Sequence, residues 1–326
     1  MSLNIMTNSS MKIIDHIPSF LDYCEVEKGL SPVTTRNYHN FLKMFINWLK
    51  DSGLQNLKPH DLNPEHIWNY RLYLSRKKDD HGNFIKKTTQ NYYLIALRNL
   101  IKYFTERDIK CLPADKIKLP KLSEKEKSIK FLSFDQVEKL LDMPDSNTED
   151  GLRDRTILEV LFSTGMRISE LTSLNVRLFD SKNIISGKVS EIEISISGKG
   201  GSTRTVYFSK RATSWLGKYL KTRISDLYSP LFINYKTDRS DTEHRLTPRS
   251  IERMVRKYAT MAGLPVDATP HTLRHSFATD LLNEGADMRL VQEMLGHKNI
   301  VTTQIYTHVT NRKLREAHKK FHRGNK

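Results

Sequence analysis

The sequence predicts a mainly helical chain in two domains: a small all-helical domain, then a mixed α/β domain of helices with a small three-stranded sheet. Three observations carry this expectation. Apolar residues recur at helical spacing through the first hundred positions. A stretch rich in lysine, with prolines and no sustained period, follows them. Beyond it the helical pattern is broken once, by short runs rich in isoleucine, threonine and valine with glycines between them.

Each element has its own signal. A first helix runs through Ile14, Ile17, Phe20 and Leu21. Ser31-Pro32 is an N-cap followed by proline at the first helical position, and Gly53 closes that segment. Between them Tyr38, Phe41, Leu42, Phe45, Trp48 and Leu49 form one buried face. Asn63-Pro64 opens a helix through Ile67, Tyr70 and Leu74, and Thr88 opens another through Leu94, Leu97, Leu100, Ile101 and Phe104. These stripes read as a bundle core, so any function of this domain belongs to the opposite face, where Arg36, Lys43, Arg98 and Lys102 sit. Domain bounds of 11–108 and 131–326 are expected, with 109–130 as a linker holding seven lysines, Pro113 and Pro120. Ser133 with Gln136 forms a capping box that starts the second domain. Its sheet is expected from Ile184–Ile185, Ile192–Ile196 and Thr203–Phe208, and its later helices from Thr213–Ile224, Thr247-Pro248 to Met261, Thr269-Pro270 to Asn283, and Asp287 to Leu295. Residues 311–326 carry a last, basic helical pattern.

Composition narrows the partners. Lys plus Arg number 53 against 37 for Asp plus Glu, a net charge of +16 that favours a polyanion over self-association. The excess runs along the whole chain, as expected of a protein that surrounds its ligand. Two cysteines, Cys24 and Cys111, make neither a disulfide framework nor a Cys-based zinc site. No apolar run approaches the ~18–20 residues of a membrane span, and the first eleven residues lack a signal peptide's apolar stretch. The expected location is cytoplasmic, nucleoid-associated, with no membrane partner.

The second domain holds the parts of a phosphoryl-transfer site: fixed cations, a nucleophile and a proton donor. Arg167 follows Gly165 where one helix ends and another begins, and Glu170 lies on the same face to orient its guanidinium. Alone, such a pair is usually a surface ion pair. His271 and Arg274 project from one face of the first helical turn after Thr269-Pro270, where free N–H groups already favour phosphate. His271 and His275 also have the i, i+4 spacing of zinc ligands, but no Glu stands between them and Arg274 would repel a divalent cation. Lys199 lies in the glycine-rich hairpin tip Gly198–Gly201, where a solvated turn lysine is the plainer reading. His297 follows Leu295-Gly296 past a helix end and fits a capping role as well; Tyr306, on a short amphipathic stretch, fits a core role as well.

In their order, Arg167, Lys199, His271-x-x-Arg274, His297 and Tyr306 resemble the full active-site set of the tyrosine recombinase (phage integrase) family. The surrounding words match too: Thr164-Gly165-Met166-Arg167-Ile168-Ser169-Glu170-Leu171, His271-Thr272-Leu273-Arg274-His275, and Leu295-Gly296-His297 nine residues before Tyr306. The resemblance is nearest to Xer-type recombinases, which resolve chromosome and plasmid multimers. It implies Tyr306 as nucleophile, forming a 3′-phosphotyrosine, with Arg167 and Arg274 on the non-bridging oxygens. It implies Lys199 as the acid for the 5′-oxygen, His271 in proton transfer at the tyrosine, and His297 on a phosphate oxygen. No metal, ATP or other cofactor is implied. The implied fold is a C-shaped DNA clamp with a SAM-like core-binding domain, making Arg36, Lys43, Arg98 and Lys102 DNA-binding candidates. The implied partners are double-stranded DNA with specific recombination sites and three further copies in a tetrameric synapse, with residues 311–321 docking on a neighbour through Leu314, Ala317 and Phe321. A second recombinase or an activator protein is a further expected partner. A mobile-element integrase or transposase with the same chemistry is the alternative, and the absence of an arm-binding domain before Met11 favours the Xer type. A type IB topoisomerase and a non-catalytic DNA-binding regulator fit less well.

Overall fold

Four proline-marked helix starts organise the chain in the computed structural model, which describes residues 10–121, 131–198, 203–223, 229–235, 244–265 and 267–296. Ser31 Oγ accepts from Thr34 N at 3.3 Å, and Asn63 Oδ1 accepts from His66 N at 3.0 Å. Thr247 and Thr269 do the same for Ser250 N (3.1 Å) and Thr272 N (3.2 Å). In each case a side-chain oxygen satisfies an N–H that the helix cannot, and proline takes the next position.

The chain divides into two compact units, residues 1–128 and 129–326. In the first, α1 (Ile17–Val26), α2 (Pro32–Asp51), α3 (Pro64–Arg76) and α4 (Lys87–Glu106) enclose an aromatic core. Phe20, Leu42, Phe45, Leu49, Tyr70, Leu74, Leu97 and Phe104 are fully buried, and Phe45 meets Tyr70 edge-on at 5.0 Å. Tyr38 and Phe41, expected on the buried face of α2, are half-buried at its rim, where Phe41 stacks on Tyr92. The fourth helix begins at Lys87, one residue before the expected Thr88, and Lys86 supplies no side-chain cap.

The second unit is built around α6 (Glu149–Thr164), buried on nearly every face. Helix α5 (Phe134–Leu141) enters through the Ser133–Gln136 capping box. After α6 come α7 (Ile168–Ser173), α8 (Ser181–Ile185), β1 (Ile192–Ser197), β2 (Thr203–Phe208) and α9 (Lys210–Thr222). Three helices follow: α10 (Pro248–Met261), α11 (Pro270–Asn283) and α12 (Met288–Leu295). Helices α9 and α11 both pack on α6, and α12 lies against α11 and β2.

The sheet differs from expectation. Among the described residues it has two strands, antiparallel, with Ile192 opposite Phe208 and Ser197 opposite Thr203. Ile184–Ile185 is not a third strand but the end of α8. Asp180 caps that helix by accepting from Asn183 N, and the Ile184 carbonyl approaches α9 so closely that a Cβ on Gly217 would lie 3.1 Å from it. Helix α9 also starts earlier than expected, because Ser209 caps it through Ala212 N. Among the described residues no helix is long and apolar enough to cross a membrane.

Candidate active site

The site begins where α6 stops. Gly165 adopts the left-handed conformation (φ 57°), and a Cβ there would sit 2.3 Å from the Phe277 ring of α11. Glycine is therefore required both by the turn and by the close approach of the two helices. The turn releases Arg167 at the N-cap position of α7 with extended backbone. Glu170 reaches back to accept from Arg167 N at 2.7 Å and from Arg167 Nη1 at 3.0 Å. The carboxylate thus fixes both the backbone and the side chain of the arginine.

Arg274 approaches from α11 and is 5 % exposed. It donates from Nη1 to Gly165 O at 2.5 Å and from Nη2 to Leu295 O at 2.6 Å. Arg167 Nη2 points to the neighbouring carbonyl, Gly296 O, at 3.4 Å. The two arginines named from sequence are therefore brought together over one turn, the end of α12. Arg167 keeps 30 % of its side chain exposed, so a ligand can still reach it.

One functional candidate was not anticipated. Arg204 of β2 forks onto Glu170, Nη1 to Oε1 and Nη2 to Oε2, both at 2.7 Å. Glu170 is buried, and burial alone would raise its pKa. The Arg204 fork, the Arg167 N–H and the Arg167 guanidinium outweigh that and hold it below the ordinary glutamate value. One carboxylate between two guanidinium groups, with Arg274 beside them, leaves the site electropositive. A signal for Arg204 existed in the sequence: it is in phase with Val206 and Phe208, a cation on the buried side of an alternating strand.

His271 lies in the first turn of α11, one turn from Arg274 and within the field of Arg167. Its ring keeps solvent access, yet the groups crowding it lower its pKa by desolvation. Arg274 and Arg167 add to that lowering, and Glu252 opposes it. His275 is pushed down to about 4, first by desolvation, then by His271 and Arg274. Both imidazoles are thus neutral near pH 7. Among the described residues no three His, Cys, Asp or Glu side chains cluster as a metal site would require. Lys199, His297 and Tyr306 lie outside the described residues, as does the helical pattern at 311–326. In the first unit Arg36, Lys43 and Lys102 are exposed, while Arg98 is half-buried, its Nε lacking a hydrogen-bond partner among the described residues.

The Phage integrase family model matches residues 130–313, and the Phage integrase, N-terminal SAM-like domain matches residues 17–108. The chain belongs to the phage integrase family. It is similar to tyrosine recombinase XerD of Listeria monocytogenes serotype 4b (strain F2365), 35% identical over 309 residues that span 94% of this chain and 98% of that one. Tyrosine recombinase XerC of Thermodesulfovibrio yellowstonii is 36% identical over 326 residues, covering 97% and 98%. Among solved structures, the XerH site-specific recombinase bound to difH substrate in a pre-cleavage complex is 25% identical. Its TM-score is 0.66, with 92% of this chain and 83% of that chain covered. A lambda integrase dimer bound to a COC′ core site, at 15% identity and TM-score 0.67, covers 93% and 79% and shares the fold. As a member of this family the chain is a site-specific tyrosine recombinase of the Xer kind, an enzyme that transfers DNA strands.

Proposed function

We propose that this recombinase cleaves and rejoins double-stranded DNA at short specific sites through Tyr306, in the resolution of chromosome or plasmid multimers. The Tyr306 oxygen attacks the scissile phosphorus and the bond to the 5′-oxygen breaks, leaving a 3′-phosphotyrosine and a free 5′-hydroxyl. Arg167 and Arg274 hold the non-bridging oxygens and stabilise the charge that builds on them. Neutral His271 accepts the tyrosine proton, Lys199 protonates the departing 5′-oxygen, and His297 donates to a phosphate oxygen. The ester keeps its bond energy as phosphotyrosine, so a second 5′-hydroxyl reverses the step without ATP or metal.

The observation that supports this reading best is the convergence of Arg167 and Arg274 on the turn at 295–296, with Glu170 holding the first of them. Two planar forks meeting at one place suit a tetrahedral anion better than a lone ion pair does. The Leu295-Gly296 turn then leads directly into His297, and Tyr306 follows nine residues later.

The same reading takes residues 11–108 as a DNA-binding domain, with Arg36, Lys43, Arg98 and Lys102 as its contacts, and residues 131–326 as the catalytic domain. Strand exchange joins two duplexes, so four protomers assemble, with residues 311–321 docked on a neighbour. The enzyme works in the cytoplasm on nucleoid DNA.

Tyr306→Phe tests the nucleophile. The variant should bind site DNA within about twofold of the unaltered chain, since one hydroxyl among many phosphate contacts contributes little affinity. It should form no covalent protein–DNA adduct. A denaturation-resistant adduct that persists in this variant would remove Tyr306 from the mechanism.

A further inference from the structure

Three arginines from three separate segments donate to consecutive carbonyls at the end of α12. Arg204 Nε reaches Met294 O at 3.1 Å, Arg274 Nη2 reaches Leu295 O at 2.6 Å, and Arg167 Nη2 reaches Gly296 O at 3.4 Å. These carbonyls lack partners within the helix and carry the negative end of its dipole, so cations are favoured there. Arg204 differs from the other two in that both of its terminal nitrogens are committed to one carboxylate, Glu170. Its side chain is only 9 % exposed, against 30 % for Arg167. It also packs under the turn: a Cβ on Gly296 would lie 2.8 Å from Arg204 Cδ.

We propose that Arg204 is a positioning residue for strand cleavage. It locks Glu170, and through it Arg167, to the 294–296 turn, so that one buried fork sets the geometry of the phosphate-binding arginine. This rests on the reading of Arg167 as a phosphate ligand.

Simple packing does not explain the choice of residue. A buried guanidinium carries a desolvation cost that an aliphatic side chain of similar length avoids. An aliphatic chain would hold β2 against α12, but it could not orient the two oxygens of Glu170. With Arg204 gone, Glu170 is left with Arg167 as its guanidinium partner among these contacts. The carboxylate then draws Arg167 into a closed bidentate pair and away from the substrate. The loss should therefore depend on the charge of the scissile phosphate.

The test compares cleavage of two single-site substrates by the full chain. One has an ordinary scissile phosphate. The other has a methylphosphonate, in which a methyl group replaces one charged non-bridging oxygen. Arg204→Met should bind both within about twofold, yet cleave the ordinary substrate at least about tenfold slower, the scale seen when a supporting side chain behind a liganding group is removed. On the methylphosphonate its defect should shrink to about threefold or less. Arg204→Lys keeps the charge without the fork and guards against a Met variant that fails to fold; it should show the same dependence on substrate. Equal fractional losses on the two substrates, or a Lys variant as fast as the unaltered chain, would overturn the proposal. Arg167→Ala on the same pair separates the two levels of inference. If it too loses equally on both, the phosphate-ligand reading itself has failed. If Arg167→Ala is charge-selective and the Arg204 variants are not, only the positioning role falls.

Discussion

His271 shows how single residues in this site are tuned by their neighbours. Desolvation lowers its pKa first, and the cations Arg274 and Arg167 lower it further, so the imidazole stays neutral to more acid pH than a free histidine does. A neutral ring accepts a proton and a charged one cannot. Cleavage should therefore fall on acidification, with an apparent midpoint below the ordinary histidine value of 6.5. The rate of adduct formation against pH measures this, and His271→Gln should lose that limb of the profile. A limb at or above 6.5 that survives in the Gln variant would assign the proton to another group. At this scale the sequence was informative where partners lie close along the chain. Arg167 with Glu170 and His271 with Arg274 are each three positions apart, and a helix puts such pairs on one face. The role of Arg204 is not legible in the sequence because its partners Glu170 and Met294 lie 34 and 90 residues away. The alternation of β2 marks Arg204 only as a cation on the side of Val206 and Phe208; which groups it clamps is not local information.

Among the elements, those with chemical punctuation were legible and those without it were not. Ser31, Asn63, Thr247 and Thr269 each precede a proline, and all four cap helices. Ile184–Ile185 had only two β-branched residues before a glycine, too short a run to show a period, and the Asp180 cap decides for helix. The α6–α7 turn is the element on which the site depends most. Gly165→Ala must place a methyl group against Phe277 in a left-handed backbone conformation. Overpacking and strain together should cost about 2–4 kcal/mol. Urea denaturation would register this as a lower midpoint with little change in slope. A loss under about 0.5 kcal/mol, the range of ordinary surface changes, would mean that the turn has room to spare.

For the whole molecule, the two units and the excess of basic side chains set the scale of the function. The net charge is legible in the sequence because it does not depend on tertiary contacts; where the first unit ends is not, since Ile109 and Ile117, in a stretch of linker composition, are buried in that unit's core. Assembly is less accessible, since docking depends on a surface of another copy. Leu314→Ala with Phe321→Ala keeps every charge of the terminal segment and removes two apolar anchors, which should cost at least about 2 kcal/mol of protein contact. Cooperative binding to adjacent sites should then weaken by an order of magnitude or more. Affinity for one site, and its slope against salt, should not change. Gel-shift titrations on single and paired sites distinguish these outcomes, and undiminished cooperativity would confine the segment to DNA contact.

The turn at 294–296 also bears on how the enzyme comes into being. The contacts that gather the site span long stretches of chain: 129 residues from Arg167 to Gly296, 109 from Gly165 to Arg274 and 90 from Arg204 to Met294. Closing loops of that length is slow, and each closure needs its far end to have been synthesised. A nascent chain that has passed residue 274 but not reached 295 already contains Arg167 and Arg274, but not the carbonyls at 295 and 296 on which they converge. The candidate site is therefore among the last parts of the second unit to form, and a polypeptide released before α12 carries its arginines without the turn that gathers them.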